Sequence, residues 1–416
     1  MNDESPFRKS KTHTLMRLLV GVLARWILVP LVTGLIAAVF TGRVINRIVQ
    51  PLSYKIYMVG PLGEEATKQI WDAFSDKKAE LIRIGDVPLQ VEAIDDLGDP
   101  VNAERISLSL AAKNDTLMVV GHIYSTQTKA ALPAYLEKAV PPIPVILTTE
   151  TNPNLLPPKT SPGTYYPVFR LSPTDDEQAL TAAQLTIDQG TKACWVIEDT
   201  SNPIYSTYLA NQFVEQVQKR SMRVLLWSTN LTIPSVDAIQ ALRIDRVFFA
   251  GEWSSALVLI RALKAMYPGS SQKVPGIILS DWSVNERLLE HGGDDAEGVY
   301  LVHPMTARAF TDGHFGVYGR DAFTLVKQLV EDADVRFEEL ASKEDEIGYV
   351  VRKSLGLRRV KDARNALISV MRESVRTGRK FDLSGGAKCA FREDGTRAES
   401  TFHVWMVKDH RFVDSQ

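Results

Sequence analysis

The residues best placed to do chemistry stand where two apolar runs end. Leu117-Met118-Val119-Val120 stops at Gly121 and gives way to His122-Ile123-Tyr124-Ser125-Thr126-Gln127-Thr128. Pro144-Val145-Ile146-Leu147 gives way to Thr148-Thr149-Glu150-Thr151-Asn152-Pro153. Hydroxyls and free backbone N–H groups at two strand ends can hold an anion such as a carboxylate. The competing role for these residues is capping and turn formation, with Ser125 or Thr126 as the N-cap of a helix through Ala130-Ala131-Leu132. Asp95, Asp96 and Asp99 are clustered as carboxylates at hard-cation sites are. His122, His291, His303 and His314 are scattered, with no H-E-x-x-H spacing, so no metal site is assigned. No G-x-S-x-G, P-loop or Rossmann glycine fingerprint occurs, and nothing supports catalysis or a bound cofactor.

Both runs are continuously apolar rather than alternating, which is the pattern of parallel strands buried on two faces. In open α/β sheets ligands bind at the carboxyl ends of the strands, so these two ends form half of a cleft. Strand and helix patterns alternate from Ser53 onward. Strands are expected at 53–60, 89–94, 193–197, 223–227, 246–250, 276–279 and 298–302, with helices between them. Thr174 caps a helix whose first turn carries Asp175, Asp176 and Glu177, and Gly190 suits its end. This succession builds parallel sheets from βαβ units. The last third changes to long helical patterns at 317–332 and 361–377. A hairpin is expected over 387–407, turning at Glu393-Asp394-Gly395.

With 416 residues the chain has room for two lobes. A net charge of only -2 argues against a nucleic-acid binder. Two distant cysteines, Cys194 and Cys389, make neither a disulfide framework nor a zinc site. The N-terminus stands apart. Trp26 to Gly42 is uncharged and just long enough to cross a bilayer, and Arg25 can snorkel at one face. Arg8, Lys9, Lys11 and Arg17 before it place the N-terminus on the cytoplasmic side. We expect an uncleaved single-pass membrane anchor, with the rest of the chain in the periplasm or outside the cell; the alternative is a cleaved signal peptide.

Several segments, taken in order, resemble the type I periplasmic solute-binding proteins, in particular the branched-chain amino-acid and amide branch that serves ABC transporters. Asp95-Asp96-Leu97-Gly98-Asp99-Pro100 resembles that family's D-D-x-G-D-P turn. Gly121 to Thr128 resembles its G-H-x-x-S-x-x-T loop, and Thr151-Asn152-Pro153-Asn154-Leu155 its A-T-x-P-x-L segment. Phe169-Arg170-Leu171-Ser172-Pro173-Thr174-Asp175 resembles its F-R-x-x-P-x-D crossover, and the Glu393-Asp394-Gly395 turn also fits. The resemblance implies two α/β lobes joined by three crossovers. One lobe would be 53–172 with 301–400, the other 173–300 with 401–416.

The resemblance also implies a ligand site. Ser125, Thr149 and Thr151 match positions that hold a ligand carboxylate in amino-acid-binding relatives. Glu252, or next Asp281, matches the acid that holds the ammonium, and Tyr205 the aromatic that closes over the ligand. The acids have a plainer role as helix caps, and Tyr205 as a packed residue at a helix start. One departure stands out: Gly60-Pro61-Leu62-Gly63 passes almost directly into a helix, where relatives carry a long loop that reaches the cleft. The expected function is capture of a small amino-acid-like ligand for an ABC permease or another membrane partner. The alternative is a degenerate sensory or scaffolding protein with no transport role.

Overall fold

In the computed structural model, residues 53–158, 164–229, 231–267, 274–305, 315–342, 346–347, 350, 359–384, 387–399 and 401–415 are described. Alternation along β1 (Tyr54–Gly60) divides the first lobe into two cores. Ile56 and Met58 pack with Ile70, Phe74, Phe323 and Leu367, whereas Tyr57 and Val59 pack with Ile106, Leu110, Leu132 and Tyr135. A strand covered on both faces needs apolar residues at successive positions, hence the unbroken runs. β1 lies parallel to β3 (Val87–Asp95) on one side and β4 (Thr116–Gly121) on the other. β5 (Val145–Leu147) and β6 (Val168–Arg170) continue in parallel beyond β4, and the short β2 (Arg83–Ile84) edges β3. Helices α1 (Glu65–Ser75), α9 (Gly316–Val335), α10 (Phe337–Ser342) and α11 (Val360–Thr377) cover one face; α2 (Pro100–Ala112) and α3 (Ser125–Pro133) cover the other.

The second sheet repeats the same winding. β7 (Ala193–Glu198) is flanked by β8 (Arg223–Thr229) and β9 (Arg246–Ala250), and β10 (Gly276–Leu279) and β11 (Tyr300–His303) follow in parallel. Each sheet therefore reverses its direction of growth once, between β1 and β4 and between β7 and β9. Crevices at such switch points are where open α/β sheets bind ligands. The connecting helices are α4 (Asp175–Asp188), α5 (Pro203–Gln218), α6 (Val236–Ala241), α7 (Trp253–Ala265) and α8 (Glu286–Gly292). Thr174 is the N-cap of α4, and its N–H donates to the Glu177 carboxylate at 3.1 Å, as the sequence pattern anticipates.

Two expectations need correction. The segment from Ala387 to Val407 is not one hairpin. Its early arm enters a separate two-stranded sheet, β12 (Phe381–Asp382) with β13 (Lys388–Cys389), and the Glu393-Asp394-Gly395 turn closes only an isolated Phe391–Arg397 bridge. The later arm, β14 (His403–Lys408), pairs antiparallel with β11 and with β15 (Arg411–Asp414) in the second sheet. Its inward residues Trp405 and Val407 are buried in that lobe's core, which decides the pairing. Gly395 (φ +78°) instead packs on the first sheet, where a Cβ would lie 2.0 Å from the Val168 carbonyl oxygen. Neither Ser125 nor Thr126 caps α3: Tyr124 holds the N-cap position and makes no side-chain capping bond. Among the described residues no helix is long and apolar enough to cross a membrane, and the expected span at 26–42 lies outside them.

Candidate functional site

The turn after β4 sets the floor of the site. Gly121 has φ +110°, and a Cβ there would lie 2.1 Å from the Val59 carbonyl oxygen, so only glycine fits. Under the turn, His122 is buried between Asp96 Oδ2, 2.9 Å from Nδ1, and the Tyr135 hydroxyl, 3.0 Å from Nε2. The expected carboxylate cluster is used up by local backbone. Asp95 Oδ1 accepts from the N–H groups of Leu62 (3.1 Å) and Leu97 (2.9 Å). Asp99 caps α2 through Val101 and Asn102, at 3.2 and 3.3 Å.

Glu150 is the residue the sequence reading passed over. It is 1% exposed and fills the donor nest between the ends of β4 and β5. Its Oε1 accepts from the Ile123 N–H and the Thr128 hydroxyl, each at 3.1 Å. Its Oε2 accepts from the N–H groups of Thr148 (2.7 Å) and Thr149 (2.9 Å). The Thr149 hydroxyl donates to the Ile123 carbonyl at 2.7 Å. Arg170, buried nearby, donates to the Asn152 carbonyl at 2.7 Å; burial pushes its pKa down, opposed by Asp175 and Glu150. Nothing in the order Thr-Thr-Glu-Thr shows that the glutamate is buried beside Thr148 and Thr151 and takes the donors of the nest.

In the second lobe Asp281 follows β10. Its Oδ1 takes three donors: the Tyr205 hydroxyl at 2.5 Å, Gln178 Nε2 at 2.9 Å and the Trp282 N–H at 3.0 Å. Burial raises the Asp281 pKa, and the donors pull it back. Asn285, not Asp281, caps α8. Glu252 stands at the N-cap of α7 without a side-chain capping bond, its N–H held by Asp199 at 3.2 Å. Burial raises its pKa too. Tyr205 is a packed first-turn residue of α5, and it also lines the cavity.

These pieces face one another across a cavity of about 500 Å³ between the lobes. Ser125, Thr149, Thr151, Tyr205, Glu252 and Asp281 all line it. So do Glu64, Tyr124, Gln127 and Trp282, which the sequence reading did not single out. Because the link after β1 is short, the start of α1 itself forms a wall. There Glu64 accepts a hydrogen bond from the Tyr124 hydroxyl. Burial raises the Glu64 pKa, the Tyr124 hydroxyl lowers it, and Glu252 across the cleft raises it again. The rings of Tyr124 and Trp282 are 5.8 Å apart, those of Tyr205 and Trp282 5.7 Å. At the rim the Thr126 hydroxyl donates to Asn202 Oδ1 at 2.6 Å, and Asn152 Nδ2 to the Ile204 carbonyl at 2.6 Å. His303 is buried in the cavity wall, its ring tilted by 39° against Trp405 at 4.5 Å, and burial pushes its pKa down to about 3.

Two like-wound sheets that meet across a polar cavity at their switch points have the architecture of a two-lobe solute-binding protein. Residues 54–408 match the family model for periplasmic binding proteins, and the chain belongs to that family. Its fold is similar to a leucine binding protein from Thermotoga maritima, at 17% identity and TM-score 0.66, over 87% of this chain and 98% of that one. It is also similar to an extracellular ligand-binding receptor from Rhodopseudomonas palustris HaA2, at 17% identity and TM-score 0.64, over 88% and 100%. A third similar structure is an ABC transporter solute binding protein from R. palustris in complex with benzoate, at 14% identity and TM-score 0.61, over 87% and 95%. No curated protein matches the sequence.

Proposed function

We propose that this chain is the extracytoplasmic solute receptor of an ABC importer. It takes a small amine-bearing, amino-acid-like ligand between its lobes, with the ammonium toward Glu252 and Asp281. The observation that carries this reading is one cavity, lined from both lobes, that gathers all six residues chosen as ligand contacts. Similar folds bind leucine and benzoate, as their descriptions state, so a small organic ligand suits the scaffold. The lobes turn on the chain passages that join the two sheets: the first is near Ser172-Pro173, the second lies beyond His303 rather than at Val299-Leu301 as expected, because β11 belongs to the second sheet, and the third leads into β14. Residues 26–42 hold the protein to the membrane; carbonate extraction of the mature protein tests this, and release from the membrane refutes it.

Calorimetry of the detergent-solubilised full chain against amino acids, amides and short carboxylates tests the function. One ligand should bind at one site per chain, and Asp281→Asn should weaken it. Truncating one partner of a buried charge pair costs about 2–5 kcal/mol, roughly 30-fold or more in affinity. If no compound in the panel binds, the sensory or scaffolding reading replaces this one. The commitment of both Thr149 donors to internal bonds is the observation that favours that second reading.

A further inference from the structure

Part of the donor set at the two strand ends is already taken. Glu150 accepts from three backbone N–H groups and one hydroxyl at the two strand ends. Thr149 has neither its hydroxyl proton nor its N–H left to give. Glu150 is buried behind the cavity wall, and its carboxylate holds N–H groups that the wall residues Ile123 and Thr149 would otherwise turn toward a ligand. A second carboxylate seated against this nest would meet a buried negative charge rather than free donors.

The rest of the wall asks for the opposite charge. Among the described residues, Glu64, Glu65, Glu252 and Asp281 line the cavity against a single guanidinium, that of Arg287, which is exposed. Glu64 comes from the first lobe and Glu252 and Asp281 from the second, so a cation between them is held from both sides. Gln127 is 5% exposed and gives its Nε2 to the Gly98 carbonyl, and its Oε1 accepts no hydrogen bond. The amide nitrogen is committed, and the buried Oε1 is an acceptor left without an N–H donor. All three donors to Asp281 meet Oδ1, and none of them meets Oδ2. Tyr124, Trp282 and Tyr205 form a row of neighbouring rings along the same cavity, and aromatic faces attract ammonium groups.

We propose that the cavity selects its ligand by a protonated amine, and that a carboxylate on the ligand is dispensable because Glu150 already takes the Ile123 and Thr149 N–H groups that would meet it. The occupant is an organic ammonium ion with a small alkyl or aryl body. This rests on the solute-binding reading above and narrows it to amine cations.

The test uses matched triplets with the full chain in detergent. Each triplet holds an amino acid, the amine left by removing its carboxylate, and the acid left by removing its amine. Leucine, isoamylamine and 4-methylpentanoate make one; phenylalanine, phenethylamine and 3-phenylpropionate a second; lysine, cadaverine and 6-aminohexanoate a third, in which both reduced compounds keep an amine. At least one amine should bind within about tenfold of its parent amino acid or more tightly, a difference of no more than ~1.4 kcal/mol. 4-Methylpentanoate and 3-phenylpropionate should not bind. Glu64→Gln with Glu252→Gln should weaken the amine by about tenfold or more, with circular dichroism showing an unchanged fold. Binding of an amino acid without its decarboxylated amine, or of an amine-free acid, overturns the amine proposal and leaves solute binding intact. Amine affinity that survives the double substitution also overturns it. Failure of every compound overturns both readings.

Discussion

Glu150 shows how far a single side chain can redirect a site. The ends of the apolar runs mark Ser125, Thr149 and Thr151 as cavity residues, and the ends of β9 and β10 mark Glu252 and Asp281. Position is legible because strand ends are written in composition. Partner choice is not, because a threonine and a glutamate side by side give no sign of which one turns under the sheet. Glu150→Ala should cost about 3–5 kcal/mol of stability, as loss of a buried charge that satisfies several donors does. Glu150→Gln keeps one acceptor oxygen and should cost less, about 1–3 kcal/mol. Urea denaturation measures both, and a loss below about 1 kcal/mol for the alanine variant would mean water satisfies the nest. His303 gives a pH signature of definite sign. Unfolded histidine takes up a proton below about pH 6.5, whereas folded His303 does so only near pH 3. Its contribution is complete above pH 6.5 and is lost as pH falls through that window, at about 1.4 kcal/mol per pH unit. His303→Gln should flatten this part of the stability profile, and an unchanged acid slope would disprove the assignment.

Elements were read more surely than their pairings. Apolar runs announced most of the parallel strands, β6 (Val168–Arg170) being one that was not expected, and capping residues such as Thr174 placed helix starts. The C-terminal strand was found, but its partner was mistaken. A turn signal at Glu393-Asp394-Gly395 is local, whereas β14 answers to a core built from residues far away in the chain. Trp405 is fully buried among Val299, Leu301 and Phe412, and so ties β14 into the second sheet. Trp405→Ala should therefore cost about 3–5 kcal/mol, as deletion of a large buried aromatic does. Denaturation by urea reads the loss, and hydrogen exchange should show it concentrated in β11, β14 and β15. A cost near zero, or exchange spread evenly over both lobes, would mean that the hairpin does not complete the second core.

At the scale of the molecule the two sheets are joined by chain passages and by a small set of contacts across the rim. Thr126 and Asn202 make one of these, at 2.6 Å, and Tyr124 against Trp282 makes another. The cleft acids face each other from opposite lobes, so closing an empty cavity brings like charges together. A ligand cation removes that opposition, and closure should follow binding. Small-angle scattering should then show a smaller radius of gyration with ligand than without it. Thr126 separates closure from ligand contact because it makes a rim bond and is not part of the cavity wall. Thr126→Val removes that bond while keeping the side chain's shape, at a cost of about 0.5–1.5 kcal/mol to the closed form. The closed fraction should drop by up to about tenfold, and apparent affinity falls with the fraction that can hold ligand. The change should enter through faster release, since the ligand's own contacts are intact. Asp281→Asn, by contrast, removes a contact to the ligand on the reading proposed above, and should weaken binding to open and closed forms alike. If ligand leaves the radius of gyration unchanged, and Thr126→Val binds and releases as the parent does, the lobes do not close on their ligand and the rim bonds are only structural.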